Sequence, residues 1–384
     1  MLSPRLLHFA ANQVFWDCGS FSACEGFPAG LPSSLDDVAA TDRHWRGRLE
    51  HAKNTTTMVP SEIDYESPYS FWMSAVEKYT ACNLTSQGDK TIAIWSVAKV
   101  LRDILQEEYA YGMWEHHLAE QLCWKVKDYR VAKRVALLQT NFPSWSWATI
   151  KGEILPRHRL TIRDYHAKNH DVDPLAFSLN KSTAATPSVT TPAAAEDRDQ
   201  EPILEDKALA VLSYLGTGKL QPNIANRRND GSIDTDVSDY SFVVQMDGDH
   251  QAMWTAFPDE SPNDWFEEEN LGLTYAILTA SGSPTQPYSG VGVMLMESAA
   301  WYRLLLKKLA NLQHQEQCSQ DQDSKKEMNK EIEYLSQLVA SAGIDKGQMS
   351  QQRYRRMGIV EFKDMEQSSW NWLQREGFQK FWLE

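Results

Sequence analysis

The chain has 384 residues, 42% of them hydrophobic and 11% aromatic, which is enough to build a core and excludes disorder throughout. Its formal net charge of −14 lacks the basic footprint of a nucleic-acid binder. Its five cysteines are irregularly spaced, and no apolar run approaches the roughly 20 residues of a membrane helix. The expectation is therefore a reduced, cytoplasmic protein without membrane contact.

The chain opens with two short β-prone runs around a small turn, which predicts a hairpin of Arg5–Ala10 with Val14–Cys18. A Gly/Pro/Ser-rich loop follows from Gly26 to Ser34. Tyr69, Trp72, Met73, Val76 and Tyr79 recur at helical steps. After the turn Ser86-Gln87-Gly88, Asp89 is placed to cap a second helix with the apolar face Ile92, Trp95, Val97, Val100, Leu101, Ile104 and Leu105. A third short helix is expected over Trp114–Lys125. Pro143 then breaks the helical pattern. Trp145 and Trp147, two residues apart, are expected on one side of an extended segment that joins the helical part to the β-rich part.

Residues 181–200 are rich in Ala, Thr and Pro and read as a disordered insertion. Strands are predicted at Arg159–His166, Ala208–Tyr214, Ser241–Met246, Thr274–Thr279, Gly290–Glu297 and Arg355–Phe362, forming a mainly antiparallel sheet or partial barrel. Between the last two, Trp301, Leu304, Leu305, Lys308 and Leu312 make one amphipathic stripe. Met328, Ile332, Leu335 and Val339 make another. They predict a helical hairpin packed on its own sheet. The fold class is α+β: an N-terminal β-hairpin and helical layer, then a mainly antiparallel β-rich domain with an inserted helical hairpin. The expected divisions are 1–60, 61–155, and 156–384 with its helical arm at 298–342.

From Asn229 to Tyr302 there is no Lys or Arg, against eight Asp and five Glu. The stretch reads as a solvated acidic surface, partly neutralised by Arg303, Lys307, Lys308, Arg353, Arg355 and Arg356, rather than as a dock for a basic partner.

Candidate chemistry is thin. Leu215–Leu220 (LGTGKL) superficially resembles a phosphate loop, but Ser213 stands where its first Gly belongs and Leu220 where Ser or Thr must hold magnesium. His116, His117, Glu120 and Cys123 share one expected helix, which leaves no closed tetrahedron for zinc. Asp230, Asp234, Asp236 and Asp239 lack the spacing of a calcium loop. His8 and Cys18 lack a third orienting group. No catalytic, metal or cofactor-binding residue is assigned, and no cofactor is expected.

Three blocks carry a family signal. The opening LSPRLLHF…QVFWDC…CEGFP comes first. A helical block comes second, with Tyr79, Asn83-Leu84-Thr85, Asp89-Lys90, Trp114 and Trp124, ending in Pro143-Ser144-Trp145-Ser146-Trp147-Ala148. Gly290–Met296 and Tyr354-Arg355-Arg356-Met357-Gly358-Ile359 come last. Together they resemble the part of fungal heterokaryon-incompatibility (HET) proteins that lies after the HET core. The opening residues correspond to the closing segment of that core.

The resemblance implies a role in fungal allorecognition and programmed cell death. Its motif residues look like scaffold positions, and the core that would bear any activity is expected to lie before this segment. The leading expectation is a non-enzymatic interaction or regulatory module with a protein partner, a basic one if it meets the acidic stretch. The alternatives are part of a nucleotide-cleaving or hydrolytic effector, and a non-functional truncated paralogue. Oligomeric state stays open.

Overall fold

The computed structural model describes residues 5–18, 22–32, 68–82, 84–115, 118–135, 142–156, 207–222, 240–246, 251–262, 271–319, 321–341 and 352–384, and its class is α+β. The expected strand at 159–166, the insertion at 181–200, the acidic loop at 230–239, and Asn83, His116 and His117 lie outside the described residues. The chain forms two compact units, Met1–Val76 with Ile92–Glu107, and Glu77–Thr91 with Glu108–Glu384.

In the first unit, β1 (Arg5–Phe9) and β2 (Val14–Cys18) pair antiparallel, as their spacing predicts. A third strand, β3 (Ser22–Cys24), adds to β2. Asp17 is buried in this sheet and accepts a 2.8 Å bond from the Ser22 hydroxyl. His8 sits opposite Phe15 and Cys18 opposite Arg5, so the hairpin register does not set His8 across from Cys18.

The helical periodicity is realised in α1 (Pro68–Thr80) and α2 (Lys90–Leu105). Two details differ from expectation. Ile92 is 65% exposed, because the buried stripe runs through Ile94, Ala98 and Leu101 at i, i+4 and i+7. The capping conformation falls at Ser86, which is extended, while Asp89 ends a 3-10 turn, Gln87–Asp89, leading into α2.

The expected helix at Trp114–Lys125 is mostly replaced. Tyr111 and Gly112 both have positive φ, 49° and 86°, and turn the chain into a two-residue hairpin between β4 (Tyr109–Ala110) and β5 (Met113–Trp114). Among the described residues of this stretch, only Leu118–Gln121 (α3) is helical. Gln121 explains the arrangement: its side-chain carbonyl accepts from the Trp114 amide at 2.9 Å, and its Nε2 donates to the Trp114 carbonyl at 2.5 Å. Two small ladders come next, β6 (Lys125–Val126) with β9 (Ile154–Leu155), and β7 (Lys133–Arg134) with β8 (Ile150–Lys151).

The β-rich part is a closed barrel rather than an open sheet. β10 (Leu209–Ser213) lies outside the ring. The ring joins β11 (Leu215–Pro222), β12 (Tyr240–Gln245), β13 (Gln251–Pro258), β14 (Leu271–Ser283), β15 (Gln286–Glu297) and β16 (Arg353–Met365), in the order β16-β13-β12-β11-β14-β15 and back to β16. Every neighbouring pair in the ring is antiparallel.

Closure removes the free edges that an open sheet would expose. The lumen is filled, not hollow. Trp254 lies edge-on to Tyr275 at 4.8 Å between ring centroids, with Phe242 and Phe362 at 6.1 and 5.2 Å. Burying each such ring is worth roughly 1.5–3 kcal/mol. The supposed phosphate loop is strand β11, where Gly216 and Gly218 leave room for the Tyr275 and Phe242 rings.

Helices α4 (Ser298–Cys318) and α5 (Gln322–Ser341) form the expected hairpin between β15 and β16. Its root packs on the barrel: Trp301, Leu305 and Leu335 join the lumen cluster. Further out, Lys308 and Glu331 bridge the two helices at 3.0 Å. After β16, α6 (Gln367–Leu373) sets Trp370 flat against Tyr288, centroids 4.9 Å apart. Finally β17 (Gln379–Leu383) pairs antiparallel with β10 and parallel with the start of β16.

One irregularity in β16 decides which of its side chains leave the lumen. Met294 faces Gly358 and Leu295 faces Arg356, so Met357 is an extra residue. Gly358 has φ +148°, and a Cβ there would lie 2.4 Å from the Phe257 carbonyl oxygen. This bulge resets the alternation. Met357, Val360 and Phe362 face the lumen, whereas Arg356 turns to the outer wall.

Candidate functional site

The outer wall of the barrel carries the densest group of buried charges in the described residues. Asp259 and Glu260 directly follow β13, and the Asp259 amide donates to the Met357 carbonyl at 3.0 Å across the bulge. Arg356 reaches Asp259 with two parallel bonds, Nε to Oδ2 at 3.0 Å and Nη2 to Oδ1 at 3.1 Å. The same guanidinium donates from Nη1 to the Leu122 carbonyl and from Nη2 to the Trp124 carbonyl, and lies 3.6 Å over the Trp124 ring. Both side chains are fully buried. Burial and the neighbouring Arg134 charge pull the Arg356 pKa below its ordinary value, while Asp259 opposes them.

Arg134 of β7 completes the network. Its Nε meets Glu260 at 3.3 Å, and its amide donates to the other Glu260 oxygen at 3.2 Å. Its Nη2 reaches Asp259 at 3.4 Å and the Arg356 carbonyl at 2.9 Å. Asp259 and Glu260 belong to the stretch read as a solvated acidic surface. They are instead 0% and 7% exposed and paired with arginine, because a buried carboxylate is tolerable only with such partners.

The PSWSWA segment lies beside this network. It is not extended: a turn through Ser144 and Trp145 leads into a 3-10 helix, Trp147–Thr149. The Ser146 hydroxyl donates to the Tyr111 carbonyl at 2.6 Å and accepts from the Ala148 amide at 3.0 Å, which caps that helix. Trp145 Nε1 donates to the Lys207 carbonyl at 2.8 Å, Trp147 Nε1 to Gly112 at 2.9 Å, and Trp124 Nε1 to Trp145 at 2.9 Å. The Ser144 hydroxyl donates to the Glu384 carbonyl and accepts from the Arg356 amide at 3.1 Å. Both indoles of the motif therefore find acceptors, on different parts of the fold.

A second cluster surrounds Lys90. Lys90 is 3% exposed as a residue, and its amine donates to the Ile150 carbonyl and sits 5.5 Å over the Trp147 ring. Burial pushes its pKa down to about 8. The Tyr79 hydroxyl donates to the Lys90 carbonyl at 2.7 Å. Burial first, then Cys82 and Asp89, push that phenol up to about 12, so it remains a donor.

The motif residues thus separate into groups. Trp124, Ser144, Trp145 and Arg356 meet at the ion network, and Tyr79, Lys90 and Trp147 meet at the buried amine. Trp114 is fixed by Gln121. Tyr354 packs edge-on to Phe381 at 5.6 Å, and Pro143 is buried beside its motif. Leu84, Thr85 and Asp89 lie on the turn before α2, where Thr85 and Asp89 are exposed.

Sequence reasoning misses Arg134, Gln121, Asp259 and Glu260 as site residues. The only signal for Asp259 and Glu260 is that they form a pair of acids after Pro258, which composition alone assigns to the surface; Arg134 and Gln121 carry none. Among the described residues no group of three or more His, Cys, Asp or Glu is arranged to hold a metal ion, and no helix is long and apolar enough to cross a membrane. No family model, curated protein or solved structure matches the chain.

Proposed function

We propose that this chain is a non-enzymatic interaction or regulatory module of the HET type, acting with a protein partner in fungal non-self recognition and programmed cell death. The carrying observation is how the motif side chains are used. The N–H and O–H groups of Ser144, Trp145, Ser146 and Trp147 all donate to backbone carbonyls, and Arg356 donates to two more. Residues spent in this way hold a barrel and its flanking segments in one arrangement. A module whose motif residues serve the scaffold in this way leaves partner recognition to other positions on its surface.

The test is a fusion assay in a filamentous fungus. Strains expressing the full chain are confronted with strains lacking it, and fused cells are scored with a vital dye. The expected result is a change in fusion-cell death that depends on the chain and disappears when Asp259→Asn disrupts the scaffold. Equal survival of fused cells with and without the chain would overturn the reading.

A further inference from the structure

The hairpin that opens the first unit has one edge and one face left over. Among the described residues β1 is an outer strand of its sheet: β2 lies on one side of it and no strand lies on the other. Arg5, Leu7 and Phe9 alternate onto one face of β1, and all three are exposed. Leu7 is 52% and Phe9 78% exposed, and their neighbours across the ladder, Trp16 and Val14, are only half-buried. Large apolar side chains beside an open strand edge are what monomeric sheets normally avoid.

The direction of the main-chain groups follows from the turn. The Ala10 amide donates to the Gln13 carbonyl at 3.0 Å, so Ala10 and Gln13 form a hydrogen-bonded pair. Val14, opposite Phe9, instead accepts from the Glu25 amide at 3.3 Å and donates to the Glu25 carboxylate at 3.3 Å, on the β3 side. Antiparallel pairing alternates, so Leu6 and His8 direct their N–H and C=O to β2, whereas those of Arg5, Leu7 and Phe9 point to the open edge. The same three residues thus carry exposed side chains and outward main-chain groups.

A second copy of this strand is its complement. With the two strands antiparallel about a two-fold axis at Leu7, Leu7 faces Leu7 of the other copy, and Arg5 faces Phe9 in both directions. All three outward residues then exchange both main-chain hydrogen bonds with their opposites. Each guanidinium meets an aromatic ring, and neither Arg5 nor His8 meets a cation, because His8 falls opposite Leu6. With the axis at Leu6, Phe9 falls opposite a position outside β1. With the axis at His8, Arg5 does so, and the two imidazoles stand face to face.

We propose that β1 is a self-association strand, which pairs antiparallel with β1 of a second copy and joins two three-stranded sheets into one. The strand is short, so the dimer is weak and concentration-dependent, with a Kd on the order of 10–100 µM. The inference does not depend on the HET reading.

The experiment is sedimentation velocity of the full chain from about 1 to 300 µM, with circular dichroism to confirm that each variant is folded. The expected result is a passage from monomer to dimer across that range. Leu7→Lys sets two ammonium groups opposite each other, and Phe9→Lys sets one against Arg5; each should weaken the dimer about tenfold or more. Phe9→Glu gives Arg5 a carboxylate to face and should stay within about threefold of the wild type. A monomer at every concentration overturns the proposal and leaves the edge to a strand of another protein. Lysine variants that dimerise like the wild type overturn it too, since the contact then lies elsewhere. Equal weakening by Phe9→Glu and Phe9→Lys overturns the two-fold pairing, because a merely apolar contact would not distinguish the two charges.

Discussion

Arg356 and Asp259 meet through two parallel hydrogen bonds of 3.0 and 3.1 Å, with both side chains sealed from solvent. The pair joins the bulge of β16 to the end of β13, and through Leu122 and Trp124 to the segment that carries PSWSWA. Its importance lies in what remains when half of it is removed. Asp259→Asn would leave a buried guanidinium without its carboxylate and should cost about 3–5 kcal/mol. The double variant Asp259→Leu with Arg356→Met removes both charges and should recover much of that loss. Urea unfolding of the three proteins decides it: equal losses in the single and double variants would mean that the charges are not coupled.

Lys90 gives a pH signature. Its folded pKa near 8 lies below the ordinary 10.5, so between those values the unfolded chain holds a proton that the folded chain has released. Stability should rise with pH across that window, by about 3 kcal/mol from this residue alone. Below about pH 8 the cost of the buried ammonium is fully present. In Lys90→Met the rise from pH 8 to 10.5 should flatten. Denaturant midpoints for both proteins at several pH values test it, and parallel curves would refute the assignment.

Gly358 is a position that no other residue fits. Its φ of +148° and the 2.4 Å approach of a Cβ to the Phe257 carbonyl predict that Gly358→Ala costs on the order of 3 kcal/mol. Chemical denaturation measures this directly. A cost below that of an ordinary surface substitution would mean that the bulge relaxes without penalty.

Ser146 caps the 3-10 helix and also donates to Tyr111. Ser146→Ala should lose roughly 1–3 kcal/mol, because two buried backbone groups lose their partner. Near-ultraviolet circular dichroism should show a changed environment for Trp147, whose indole depends on the same turn. An unchanged spectrum and midpoint would count against the cap.

Much of this architecture is legible in the sequence because its signals are local. The β-prone runs within Tyr240–Gln245 and Arg353–Met365 and the stripe through Trp301 and Leu305 announce themselves by local composition and spacing. The elements that escape a sequence reading are decided by distant partners. β11 reads as a glycine loop until the rings of Tyr275 and Phe242 supply the reason for its glycines. Trp114 has helical neighbours in sequence, yet Gln121 claims its backbone and positive φ at Tyr111 and Gly112 turns the chain. Asp259 reads as one acid among thirteen until Arg356, far along the chain, buries it. Bulges have the same character: nothing in Met357-Gly358 announces which of Arg355 and Arg356 will face the lumen.

The ring is sealed by β15 and β16, strands separated in the chain by the whole of α4 and α5. Zipping that seam therefore carries the loop-closure entropy of a long intervening segment, unlike the short link between β14 and β15. The helical hairpin offsets part of this by bringing its two ends together before the strands meet, since its own contacts are local and form fast. On this topology a preformed arm would serve as a folding clamp, and closing the seam would be the step that brings Arg355 against the Trp301 ring.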